Sequence, residues 1–216
     1  MSASLMHTLR RRSTAALALL LLATPASSRQ SSNRATLSHP SDAPRRVLAV
    51  VEISEGSSIK YELDPASDLL IVDRFLSMPV TYPANYGFLP STLSGDGDAL
   101  DVLVLTRQPV VPGAVLEVRP IALLQTLDGG ERDDKVLAVP TDRVDPQMAH
   151  LRDLADVPVP HLQAIEQFYR VYKQLPTGSK TVVVEGWKDA AATHAVISAA
   201  LQRFSEIASH TPNPQR

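Results

Sequence analysis

Five aspartates stand in two tight groups. Asp96, Asp98 and Asp101 share the segment Asp96-Gly97-Asp98-Ala99-Leu100-Asp101, and Asp128 and Asp133 flank a Gly-Gly pair. A strand-like run adjoins each group: Val102-Leu103-Val104-Leu105 after the first, Lys135-Val136-Leu137-Ala138-Val139 after the second. Carboxylates repel one another, so gathering several is costly unless something cationic sits among them. Hard divalent cations such as Mg²⁺ take oxygen ligands and bind few protein carboxylates each. The first reading is therefore a magnesium site holding more than one ion. A calcium EF-hand does not fit, because the third aspartate falls one place late and a strand, not a helix, follows. Asp96 and Asp98 would share a strand face. Asp101 joins them only if a bend absorbs the extra residue, and Gly97 supplies the backbone freedom for it.

The elements that must position these groups read as short strands. Val47-Leu48-Ala49-Val50-Val51-Glu52-Ile53 is a buried strand carrying Glu52. Ile59-Lys60-Tyr61-Glu62-Leu63 alternates strictly, with Ile59, Tyr61 and Leu63 on one face and Lys60 and Glu62 on the other. Taken alone, that second face reads as a solvated one. Residues 69–72 form a strand leading to Asp73-Arg74-Phe75, and Tyr82-Pro83-Ala84-Asn85-Tyr86-Gly87 is turn-forming. Residues 114–118 and 121–125 follow as strands, and Asp128-Gly129-Gly130-Glu131 is a hairpin turn. Asp133 and Lys135, two apart, face one way on its return strand. Such a run of short strands argues a small closed or nearly closed barrel.

The last third changes period. Leu162, Ile165, Phe168, Tyr169 and Tyr172 recur at helical spacing between Pro160 and Pro176. Residues 181–185 form one more strand, residues 188–208 a second helix, and residues 148–154 a short one. The expected fold class is α+β: a small closed OB-like β-barrel with packed α-helices.

Composition narrows the function classes. A chain of 216 residues is long enough for one domain with a real core. Its net charge of −2 gives no basic footprint for nucleic acid. The absence of cysteine excludes disulfides, zinc thiolate sites and cysteine nucleophiles. The six histidines show no metal spacing.

Residues 1–28 read as a secretory signal peptide: Arg10-Arg11-Arg12, an apolar run over 15–23, then small residues to Ser28. The run is too short to span a bilayer, and the adjacent arginines permit a twin-arginine route. Its removal leaves 18 basic against 23 acidic residues, a net charge of −5. Residues 29–46 read as a disordered tether, and the folded domain spans 47–210.

Taken together, the motifs resemble family I soluble inorganic pyrophosphatases of bacterial type, over roughly residues 47–208. Ser94-Gly95-Asp96-Gly97-Asp98-Ala99-Leu100-Asp101-Val102-Leu103-Val104 matches the family signature. Around it Ile59-Lys60-Tyr61-Glu62, Val72-Asp73-Arg74-Phe75, Tyr82-Pro83-Ala84-Asn85-Tyr86-Gly87, Tyr172-Lys173 and Val184-Glu185-Gly186-Trp187 come in the family's order. Ala99 stands where the family usually has proline, Gly129 replaces a usual acid, and Ser58 stands where proline is common.

The resemblance implies Mg²⁺-dependent hydrolysis of pyrophosphate to two phosphates, with Mn²⁺ or Zn²⁺ as substitute ions. It implies metal ligation by Asp96, Asp101, Asp128, Asp133 and Glu62, with Asp98 taking the proton of the attacking water. Lys60, Arg74, Tyr86, Tyr172 and Lys173 would grip the phosphates, and Glu52, Tyr82 and Lys135 complete the site. It also implies a homohexamer. The charges argue independently for several ions. Seven carboxylates against four cations leave −3, pyrophosphate adds about three or four more negative charges, and buried uncompensated charge is expensive. Two alternatives stay open: a barrel that binds polyphosphate without hydrolysing it, and a broader phosphatase or nucleotide hydrolase. The leader points to export, to periplasm or medium, with no stable membrane span after processing. The family is ordinarily cytoplasmic.

Overall fold

The computed structural model describes residues 33–176 and 181–210. The leader over 1–28 lies outside the described residues. Nine strands and two helices follow in chain order: β1 (Val47–Ile53), β2 (Ile59–Asp64), β3 (Leu69–Phe75), β4 (Asn85–Phe88), β5 (Asp101–Val104), β6 (Val115–Asp128), β7 (Glu131–Arg132), β8 (Lys135–Pro140), α1 (Val159–Val171), β9 (Val182–Lys188) and α2 (Ala190–His210).

Five strands close a ring. β1 pairs with β4, β4 with β5, β5 with β8, β8 with β6, and β6 back with β1. All these pairings are antiparallel except β5 with β8. The fold is thus an OB-like barrel with two helices, in the α+β class. β6 is the longest strand and serves several neighbours in turn, with β9 added along its later half. Its register with β8 slips between Pro120 and Ala122. Proline has no N–H to give a ladder, so an irregularity at Pro120 is where it fits.

The core follows the alternation of the strands. Leu103, Leu137 and Val139 pack in one cluster with Ile165, Phe168 and Tyr169 of α1. Their neighbours Val102, Val104, Val136 and Ala138 pack in another with Ile197 and Ala200 of α2. Both faces of β5 and β8 are covered, which is why these strands read as continuous apolar runs.

Several expectations need correction. Residues 85–88 are a strand, β4, not part of a turn. Gly87 makes this possible: a Cβ there would lie 1.8 Å from the Val50 carbonyl oxygen of β1. The two strands expected over 114–118 and 121–125 are one, β6. No helix covers 148–154. Two short 3₁₀ turns, Pro146–Met148 and Leu154–Asp156, stand instead, each started by an aspartate cap, Asp145 and Asp153. β9 runs on through Trp187, because β6 offers Leu124 as its partner.

Of the tether expected over 29–46, the described part, residues 33–46, is ordered. Arg34 bonds the Asp68 carboxylate at 3.1 and 3.2 Å, and Leu48 N donates to His39 Nδ1 at 3.0 Å. Leu37 and Ala43 pack on the core. Its composition is polar, but its polar groups have specific partners. No helix among the described residues is long and apolar enough to cross a membrane.

Candidate active site

The strand ends, the hairpin and the end of α1 enclose a cavity of about 590 Å³. All fourteen polar residues singled out in the sequence line it: Glu52, Lys60, Glu62, Arg74, Tyr82, Tyr86, Asp96, Asp98, Asp101, Asp128, Asp133, Lys135, Tyr172 and Lys173. Glu131, Arg132, Asp134 and Tyr169 also line it. Among the described residues the wall therefore carries nine carboxylates against five cations.

The parallel pairing of β5 and β8 sets Asp101 opposite Lys135. The Lys135 ammonium, 3% exposed, bonds both Asp101 and Asp133. Burial acts to lower this amine, but the two carboxylates outweigh it and hold it above its ordinary value. Asp133, partly buried, is pushed up to about 6, first by that burial and despite Lys135.

At the tip of β6, Gly129 and Gly130 both take positive φ, 61° and 91°, and turn the chain so that Asp128 faces Glu131. Such two-residue turns need left-handed backbone at both positions. Asp128 Oδ2 accepts from Lys173, while its Oδ1 is buried without a hydrogen-bond partner.

On the opposite wall β2 presents Lys60 and Glu62, which pair with each other. The face that reads as solvated when taken alone lines the cavity, as the resemblance implies, with Glu62 still more than half exposed. Lys60 also lies 3.1 Å from Asp73, which bonds Arg74 at 2.7 Å.

Asp96 and Asp98 do not share a strand face as expected. They sit on a loop, where Asp98 N donates to Asp96 Oδ1 at 3.1 Å and Gly97 takes φ 97°. This aspartate turn is the bend that brings the loop round to Asp101. Burial first, then the charges of Asp96, Asp101 and Glu62, raise the Asp98 carboxyl. Glu52, 8% exposed at the floor, accepts from Leu63 N at 2.7 Å. Burial outweighs that bond and, with Asp101 nearby, pushes it up to about 7.

An aromatic wall closes the side toward α1. Tyr82 lies 5.5 Å from Tyr86 and 4.8 Å from Phe168, and Phe168 stacks on Tyr172 at 4.9 Å between ring centres. Burial raises the phenols of Tyr82, Tyr86, Tyr169 and Tyr172. They stay protonated, and the Tyr169 hydroxyl is buried without a hydrogen-bond partner.

Sequence reading missed Asp73, Asp134, Arg132, Glu131 and Tyr169. Tyr169 stands on the apolar stripe of α1, where helical spacing alone gives no sign of the cavity, and it packs in the core as well as lining the site. Asp134 lies between Asp133 and Lys135, where strand alternation turns it to the other face. The adjacency of Asp73 to Arg74 was the available signal for that residue.

The donor set suits a hard divalent cation. Oxygen donors dominate it, no histidine among the described residues lines the cavity, and the buried Asp128 Oδ1 needs a positive partner. Among the described residues no three acids are already gathered closely enough to hold an ion. Lysines occupy the space between them instead.

Comparisons with known proteins agree in what they match. The profile of the family described as "Inorganic pyrophosphatase" matches residues 49–205. An inorganic pyrophosphatase of Gluconobacter oxydans is 46% identical over 160 residues, 74% of this chain and 92% of that protein. One from Aeropyrum pernix is 44% identical over 163 residues, 76% of this chain and 92% of that protein. The crystal structure of the Thermus thermophilus inorganic pyrophosphatase superposes with a TM-score of 0.77 at 40% identity, covering 80% of this chain and 99% of that one.

Proposed function

The chain belongs to the inorganic pyrophosphatase family and is an inorganic diphosphatase, and from that premise we propose how its cavity carries out the reaction and with which ions. The reaction is hydrolysis of inorganic pyrophosphate to two phosphates, and the family implies dependence on divalent metal. The ions are Mg²⁺, several per site, with Mn²⁺ or Zn²⁺ as substitutes. Asp96, Asp101, Asp128, Asp133 and Glu62 hold them. When bound, Mg²⁺ neutralises the substrate's charge and lowers the pKa of water.

The rest is the work of the chain's own residues. Asp98 orients the attacking water and takes its proton as the new P–O bond forms and the bridging P–O bond breaks. Lys60, Arg74 and Lys173 meet the phosphate oxygens with fixed charge, and Tyr86 and Tyr172 donate hydrogen bonds to them. Arg74, Lys173 and Tyr172 stabilise the departing phosphate as its charge grows. Lys135 keeps Asp101 and Asp133 together, and Tyr82 and Glu52 shape the floor.

One observation carries this reading: fourteen dispersed polar residues face a single cavity whose wall has an excess of carboxylates. The test is phosphate release from pyrophosphate with Mg²⁺, beside ATP as a competing substrate. Activity should be abolished by EDTA and restored by Mg²⁺. A folded protein that releases no phosphate would end the reading. Two further assignments rest on the sequence: export directed by the leader, and assembly as a homohexamer. Fractionation with N-terminal sequencing tests the first, and light scattering the second.

A further inference from the structure

The ladder that carries the acidic hairpin is interrupted at its neck. β6 pairs with β8 as far as Leu124 opposite Lys135, and with β7 from Leu127 opposite Arg132. Between these pairs lie Gln125 and Thr126 on one side and Asp133 and Asp134 on the other. The register with β9 also slips between Gln125 and Thr126. A break here would leave Asp128 and Asp133 free to move relative to each other.

Thr126 and Asp134 span the break. Asp133 N donates to the Thr126 carbonyl at 3.0 Å, and the Thr126 hydroxyl donates to the Asp133 carbonyl. Thr126 N donates to Asp134 Oδ1 at 3.2 Å. The same oxygen accepts from Arg132 at 3.3 Å, and Arg132 reaches on to Glu185 of β9 at 2.6 Å. Thr126 is fully buried and Asp134 is 9% exposed. A carboxylate and a hydroxyl this deep require bonded partners, and these two find theirs in the gap.

We propose that Thr126 and Asp134 are positioning residues for the reaction, whose side chains reinforce the single backbone bond left across the interrupted ladder and fix the spacing of Asp128 and Asp133. The proposal rests on the reading of Asp128 and Asp133 as ion ligands. Groups that orient ligands from behind typically change metal affinity by about 10–100-fold when removed.

The test is Mn²⁺ binding to the EDTA-stripped full chain, followed by electron paramagnetic resonance without substrate, alongside thermal melts in EDTA. Asp134→Ala should weaken Mn²⁺ binding about tenfold, the low end of that range. Thr126→Val, which keeps the shape and loses only the hydroxyl, should weaken it by less. Asp134→Asn should stay close to wild type, since its amide oxygen still accepts from Thr126 N. The Mg²⁺ concentration that half-saturates turnover should move in the same order. Should Asp134→Ala fail to fold, Thr126→Val and Asp134→Asn carry the comparison. A lowered melting temperature with unchanged Mn²⁺ affinity would reduce the pair to a structural role and overturn the proposal. A different result, Asp128→Asn and Asp133→Asn binding Mn²⁺ like wild type, would overturn the ligand assignment beneath it.

Discussion

Asp98 has no ion pair with a cation among the described residues, whereas Glu62, Asp101, Asp128 and Asp133 each do. Its carboxylate is exposed on a loop, and only its backbone N and carbonyl take part in the local turn. Asp98→Asn should therefore leave circular dichroism and melting unchanged while kcat falls about 10²-fold or more, the scale of a lost general base. Glu52 makes a different prediction. Its folded pKa of about 7 lies above the ordinary 4.5, so between those values the native state binds more protons than the unfolded one. Stability must then fall as pH rises through that window. Urea midpoints of the chelated protein at pH 5 and 7.5 measure this. Glu52→Gln keeps an acceptor for Leu63 N and should flatten the difference. A variant with the same pH dependence as wild type would show that the loss arises elsewhere.

At the scale of elements, β1 and β4 approach so closely that position 87 admits only glycine. A methyl group there would collide with backbone, which cannot swing aside as a side chain can. Gly87→Ala should cost about 3 kcal/mol or more, or yield insoluble protein. Chemical denaturation beside wild type checks it. The same strand shows where sequence reading ran short. The barrel, the two helices and the residues of the cavity were legible, because apolar runs, turn residues and spaced acids are local signals. β4 was not, because Tyr82-Pro83 signals a turn and the strand exists only through its two neighbours. The continuity of β6 past Pro120 was hidden for the same reason: its later partners, β8 and β9, come after it in the chain. The Thr126–Asp134 bridge depends on a break in pairing that no local pattern records.

At the scale of the whole molecule, the segment 33–46 is part of the fold despite its polar composition. Arg34 ties it to the β2–β3 turn through Asp68, Ser91 N donates to the Ala35 carbonyl at 2.9 Å, and His39 Nε2 meets the Pro90 carbonyl at 2.7 Å. A chain starting at residue 47 should lose about 1–2 kcal/mol relative to one starting at residue 33. That loss reads as a melting temperature lower by roughly 2–8 °C. Equal melting of the two would mean that these bonds contribute nothing net.

The lysines against the acids have a broader consequence. Lys135, Lys173 and Lys60 give the acidic cluster internal counter-ions, tethered by the chain itself. The barrel can therefore complete itself in cation-poor surroundings without electrostatic collapse. A newcomer metal competes there with ammonium heads at fixed effective concentration, and not merely with solvent.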